Sequence, residues 1–394
     1  MEWIPVCRSC GQRNPGTWSR CPRCGGVQEL APPPAPPSLE GGEGLWRFRA
    51  ALPPVRDEIT LGEGGTPLVR CERLAARAGV AEVLVKNETV NPTLSFKDRA
   101  MALGVSLARD AGAPGVVAAS TGNTAVSAAA YAARAGLPCR LYCAAGAAGT
   151  AKPRTAAAYG AHVEPVDGDF SSAHAAAAAL EADGWFPLTT TFRNPYLAEA
   201  HRTVALELCE QTGGDVPGWV LVPVGAGPLL VGAHNGFRAL AASGRIARPP
   251  RMVAVQSDAC APLVAAWRGG ARAVTAADPR PTVAGAIADP MRGYEDEGLL
   301  TLAAIRESGG LAVSVPDDAV LDAVHDLSRL EGLLVEPAAA APLAALADLV
   351  ASGTIPPDAR VALLATGHGA KEHGVKEHGA KEHGAKEPDH PTQG

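Results

Sequence analysis

Lys97 stands in Asn91-Pro-Thr-Leu-Ser-Phe-Lys97-Asp-Arg99, and its setting is the most informative in the chain. The Asn-Pro pair builds a turn, and the spacing of Phe96, Ala100, Leu103 and Leu107 predicts one face of a helix opened by Ser95. Lys97 then falls in the first turn, where the positive end of the helix dipole disfavours another cation and lowers the amine's pKa. A nucleophilic or Schiff-base lysine needs that shift. The alternative is a surface lysine in an i, i+4 ion-pair pattern.

A second group of reactive side chains lies at the start. Cys7-Arg-Ser-Cys10 and Cys21-Pro-Arg-Cys24 are two CxxC pairs, each followed by glycine. Four thiolates at that spacing suit a structural zinc ion (Zn2+) in a compact ribbon, with Cys7, Cys10, Cys21 and Cys24 as ligands. So short a ribbon cannot bury its own core, and the metal would supply its folding energy. A redox pair is the alternative. Cys71, Cys139, Cys143, Cys209 and Cys260 show no ligand spacing and read as buried small apolar residues.

Two loops could bind anions. Ser120-Thr-Gly-Asn-Thr124 lies between a strand and an Ala-rich helix, where small residues and free amides accept a carboxylate or phosphate. Val224-Gly-Ala-Gly-Pro-Leu229 repeats the arrangement. Its G-x-G pattern reaches Leu230 where a dinucleotide fingerprint needs glycine, and the sequence has no Gly-Lys-Ser/Thr for a nucleoside triphosphate. A small phosphate fits better. An ordinary strand-to-helix turn is the plain alternative for each.

The elements that must position these groups follow from hydrophobic patterning. Strands are expected at 82–86, 116–119, 140–143, 162–166, 219–224, 251–255 and 361–365. Helices are expected over 124–135, stopped by Gly136, and over 229–240. Alternating strands and helices predict α/β architecture with open, mostly parallel sheets, binding ligands at the strand ends.

The 394 residues divide into four regimes: a ribbon (1–30), a Pro-then-Gly linker (31–45), the α/β region (46–370) and a repeat tail (371–394). The tail continues a His-Gly-Ala/Val-Lys-Glu repeat that begins at His368, and it reads as solvated and disordered. Weak metal binding through His368, His373, His378 and His383 is the alternative. A net charge of −6 argues against a general nucleic-acid partner. No apolar run is long enough to span a membrane and no leader is visible, so a cytoplasmic location is expected, with reduced cysteines.

Leu61-Gly-Glu-Gly-Gly-Thr-Pro-Leu68, the Lys97 segment, Ser120–Thr124 and Thr366-Gly-His-Gly369, in that order, resemble the threonine synthase family of fold-type II pyridoxal-phosphate enzymes. The resemblance covers about residues 58–372. It implies a tryptophan synthase beta-like fold, with a smaller domain near 92–187 inserted in a larger one, and a homodimer. It also implies roles. Lys97 would bond covalently to pyridoxal 5'-phosphate and shuttle protons, with Phe96 packed beside the cofactor. Asn123 would hydrogen-bond the ring hydroxyl, and Ser120, Thr121 and Thr124 would hold the carboxylate of an amino-acid substrate. Gly225, Ala226, Gly227 and Leu229 would offer amides to the cofactor phosphate, and Thr366 would face the ring nitrogen. A neutral hydroxyl there biases the chemistry toward elimination and replacement. Glu336 matches another family element without an assigned role.

The resemblance implies O-phospho-L-homoserine and water giving L-threonine and phosphate. Three departures stand against the family pattern. Leu94 replaces a glycine beside the lysine, which predicts a tighter pocket. Pro228 removes one amide. Thr191, Phe192 and Leu197 replace the usual phosphate-holding Asn, Ser and Arg, leaving Arg193, His201 and Arg202 as substitutes. The alternatives are β-replacement or ammonia-lyase action on serine or threonine, and, in another class, a zinc-ribbon binding module with an inert catalytic domain.

Overall fold

A computed structural model describes residues 3–31, 43–168 and 170–371. The linker's central residues and the tail's repeats lie outside the described residues.

Two short strands, β1 (Ile4–Cys7) and β2 (Gln28–Ala31), pair antiparallel and frame the cysteine ribbon. The large sheet is built from β3 (Leu68–Arg70), β4 (Glu82–Asn87), β9 (Trp219–Pro223), β10 (Arg251–Ser257), β11 (Leu311–Val315) and β12 (Arg360–Ala365). The small sheet uses β5 (Val116–Ala119), β6 (Cys139–Ala144), β7 (His162–Val166) and β8 (Phe186–Pro187). The large sheet runs β11-β10-β9-β12-β4-β3, parallel except for β3, and the small one runs β7-β6-β5-β8, parallel throughout.

The expected α/β fold with open, mostly parallel sheets is therefore present. Trp219-Val-Leu-Val-Pro223 is buried along its whole length because helices cover both faces of its sheet. The expected strands end within two residues of those observed. Patterning missed β3, β8, β11 and the ribbon strands, all of them short or at an edge.

The helix after the lysine motif spans Lys97–Asp110, and Ser95 does not open it. Phe96 occupies the cap position without a side-chain cap, and the Ser95 hydroxyl is buried without a hydrogen-bond partner. The first-turn carboxylate of Asp98 instead ties down the preceding turn and a neighbouring helix, accepting from the Thr93 amide (2.6 Å) and from the hydroxyls of Thr93 and Ser127. Ser95 is drawn away by a bridge to Gly367.

Leu94 explains the family's glycine. It holds a left-handed backbone (φ 62°), which a side chain tolerates poorly. That side chain lines an outer groove with Lys152 and Tyr159 rather than the lysine's cavity. The expected narrowing of the pocket is not found.

Candidate active site

The carboxyl ends of β5, β9 and β12 converge on one cavity of about 200 Å3 between the two sheets. This is where strand ends of open α/β sheets leave a crevice. Its lining includes the residues expected to hold the lysine, the cofactor and the substrate carboxylate: Phe96, Lys97, Ser120, Thr121, Asn123, Thr124, Gly225, Ala226, Gly227, Leu229 and Thr366. Thr190, Asp289 and Glu336 are among the other side chains that line it.

Lys97 Nζ donates to Thr190 Oγ1 at 2.6 Å, and that hydroxyl also meets Thr124 Oγ1 at 2.7 Å. The ammonium lies 4.5 Å from the centre of the Phe96 ring. Burial lowers the amine's pKa from 10.5 to about 8, against the opposing charge of Asp289. The direction matches expectation, but burial is the main cause rather than the helix dipole.

Asn123 opens the helix Asn123–Ala135, which ends at a left-handed Gly136. Its amide nitrogen donates to Glu336 Oε2 at 2.7 Å, and Lys152 pairs with Glu336 Oε1 at 2.9 Å. The Asn123 carbonyl oxygen is buried without a partner on the cavity wall.

The loop after β9 enters the helix Pro228–Ala242 through Gly227 at φ 108°. A Cβ on Gly227 would lie 2.2 Å from Thr301 Oγ1, and that hydroxyl donates to the Ala226 carbonyl at 2.6 Å. The turn is thus pinned from behind while its amides precede an uncapped helix start, a natural anion cradle. Pro228 at the first helical position costs little there, since its amide would have no helical partner.

The cationic substitutes expected near Thr191–Leu197 do not line the cavity. Arg193 pairs with Glu181, and Arg202 with Glu199. His201 is fully buried against Phe96 (ring centres 5.2 Å apart), and burial holds its pKa well below 6.5. Each side chain is already committed to a partner or to the core, which adjacency in sequence could not reveal.

In the N-terminal ribbon, the sulfurs of Cys7, Cys10, Cys21 and Cys24 all lie within 4.8 Å of one another. Cys7–Cys24 and Cys10–Cys21 are 3.5 and 3.8 Å apart. Tetrahedral zinc–thiolate bonds of about 2.3 Å put sulfurs at roughly this separation.

An amine at the cavity floor, a pinned glycine turn at a helix start and an orphaned amide oxygen fit an aldehyde-bearing, phosphorylated pyridine. Residues 59–367 match the family model described as pyridoxal-phosphate dependent enzyme, and the chain belongs to that family. Solved relatives carry the fold. A threonine deaminase from Solanum lycopersicum superposes with TM-score 0.66 at 22% identity, over 87% of this chain and 95% of that one. A serine racemase from maize does so at TM-score 0.63 and 21% identity, over 77% and 89%. The fold is fold-type II.

Among curated proteins the chain groups with threonine synthases. It is 39% identical to that of Methanosarcina acetivorans, over 83% of this chain and 80% of the relative. It is also 39% identical to that of Methanocaldococcus jannaschii, over 84% and 81%. No described helix is long and apolar enough to cross a membrane.

Proposed function

We propose that this chain is a threonine synthase, converting O-phospho-L-homoserine and water to L-threonine and phosphate. The observation that carries the proposal is the placement of Lys97, held by Thr190, between the Ser120–Thr124 loop and the pinned Gly225–Leu229 turn. The 39% identity to threonine synthases supports it.

When bound, pyridoxal phosphate supplies an electron sink for charge developing next to the substrate's amino group. Lys97 holds it covalently, and later removes and returns protons at the substrate's α and β carbons. An amine with a pKa near 8 can do both near neutral pH. Ser120, Thr121 and Thr124 bind the substrate carboxylate. Amides of Gly225, Ala226, Gly227 and Leu229 hold the cofactor phosphate. Phe96 packs beside the ring, Asn123 receives the ring hydroxyl on its free oxygen, and Thr366 meets the ring nitrogen without enforcing its protonation. The same reading includes a smaller domain near 92–187 and a homodimer, the latter testable by light scattering. It also includes a structural Zn2+ on the four ribbon thiolates, testable by metal analysis of purified protein before and after Cys10→Ser.

One observation favours a second reading. Arg193 and Arg202 are tied to carboxylates outside the cavity, so neither offers a fork to a substrate phosphate. That suits ammonia-lyase action on threonine or serine. Phosphate release from O-phospho-L-homoserine, measured beside 2-oxobutanoate release from threonine, decides between them. Absence of phosphate release removes the first reading. Borohydride reduction of holoenzyme followed by peptide mass analysis tests Lys97, and a pyridoxyl adduct on any other lysine overturns its role.

A further inference from the structure

The ribbon's second cysteine loop is anchored on the segment that carries Thr190. Arg20, next to Cys21, sends one guanidinium nitrogen to Asp296 (2.5 Å) and another to Glu297 (2.8 Å). The Glu297 side chain is fully buried, and its second oxygen accepts the amide of Phe192 at 2.7 Å, while the carboxylate also accepts the hydroxyl of Thr191. Thr190, the next residue back along the chain, is the acceptor for Lys97.

The contact has three further supports. Ser19 Oγ donates to Glu181 (2.7 Å), the carboxylate that pairs with Arg193. Trp18 packs on Phe186 and Tyr196, with ring centres 5.1 and 4.9 Å away. Val27 shares an apolar cluster with Phe192, Ala198 and Leu300, and its amide donates to Asp296 at 3.1 Å. The loop of residues 18–27 thus grips both flanks of the 186–197 segment. Its shape is set by the cysteine turn itself, where the Gly25 amide bonds the Cys21 carbonyl and the Cys21 amide bonds that of Gly26. Arg20 also donates to the Gly25 carbonyl.

We infer that the cysteine ribbon is a positioning element of the active site, in which Arg20 acts through Glu297 to hold the Thr190–Phe192 turn against Lys97. Burial pushes the Glu297 carboxyl up to about 7, and holding it in its paired geometry calls for a counter-charge that opposes that shift. Arg20 provides it from outside the catalytic body, so the geometry around the lysine depends on a folded ribbon remote from it in sequence. Arg20 touches no reacting atom. It is a positioning residue, and its link to chemistry rests on the proposed role of Lys97.

The test uses the full chain and the variants Arg20→Ala and Arg20→Lys. Hydrogen–deuterium exchange of the cofactor-free protein is expected to be at least about tenfold faster over 186–194 in Arg20→Ala, with β9 and β12 unchanged. Arg20→Lys, which keeps the charge but loses the fork, is expected to restore most of the protection. In the holoenzyme, Arg20→Ala is expected to move the pH midpoint of the cofactor's visible band, and to lower kcat more than it raises KM. Should Arg20→Ala fail to fold, the pair Arg20→Met with Glu297→Gln removes the stranded charge while still cutting the link, and faster exchange over 186–194 is again expected. Exchange unchanged over 186–194, or quickened only within 3–31, overturns the inference. The exchange readout needs no cofactor, so failure of the Lys97 reading would show as an unlabelled Lys97 alongside an intact exchange effect.

Discussion

Arg99 and Glu207 meet as a two-pronged pair, Nη1 to Oε1 at 2.7 Å and Nη2 to Oε2 at 2.8 Å, with both side chains fully buried. Glu88 takes the remaining face of the guanidinium, and Lys86 donates to Glu207 at 2.6 Å. Two cations and two carboxylates thus balance in the interior, at the first turn of the helix that begins at Lys97. Removing one member strands its partners. Glu207→Ala is expected to cost about 3–5 kcal/mol, seen as a large fall in melting temperature.

Thr190 gives Lys97 a hydroxyl acceptor and ties it to Thr124. Thr190→Val keeps the shape and removes the acceptor. A lost hydrogen bond of about 0.5–1.5 kcal/mol predicts a kcat lowered about two- to tenfold, with Thr190→Ser near wild type. Steady-state kinetics on the preferred substrate provide the check.

Gly227 combines a left-handed backbone with a Cβ position that Thr301 already fills. Gly227→Ala is therefore expected to weaken pyridoxal-phosphate binding by about tenfold or more. Adding Thr301→Ala relieves the overlap but not the backbone strain, so recovery should be partial. Equilibrium titration of cofactor-free protein measures both.

Leu94 carries the same backbone strain without filling the site. Leu94→Gly is expected to raise stability by about 0.5–1 kcal/mol while leaving cofactor affinity unchanged. Thermal unfolding and cofactor titration of the one variant give the two halves of that statement.

Lys97 titrates near 8 when folded and near 10.5 when unfolded. Between those values the unfolded chain holds a proton that the folded chain has shed, so this group's contribution to stability rises with pH. Below about 8 the folded protein carries a buried charge and the contribution is at its least favourable. In cofactor-free protein, acylation of Lys97 should reach half its limiting rate near pH 8. The melting temperature of wild type relative to Lys97→Met should climb between about pH 8 and pH 10. A midpoint near 10.5 contradicts the burial argument.

Much of the fold and site was legible in the sequence because both rest on local signals. Buried strands such as Val116–Ala119 are continuous apolar runs, and the Lys97, Ser120–Thr124 and Gly225–Leu229 segments each carry their chemistry within a few residues. What escaped depends on tertiary contact. The edge strand Leu311–Val315 is half exposed and lacks a clean run. Thr190 is the middle one of a Thr-Thr-Thr run with the same residue on either side, distinguished by the turn that aims it. Asp289 lies in a stretch without periodicity. The expected roles for Arg193 and Arg202 failed because Glu181 and Glu199, invisible as partners in the linear text, had already claimed them.

The strand Arg360–Ala365 lies between β9 and β4, in the interior of the large sheet, and Thr366 follows it directly into the cavity. A chain emerging from the ribosome therefore cannot complete this sheet until the strand Arg360–Ala365 has been made. Partial products present two unzipped strand edges in place of a finished seam. A product stopped short of Arg360 lacks both that seam and the Thr366 wall of the cavity.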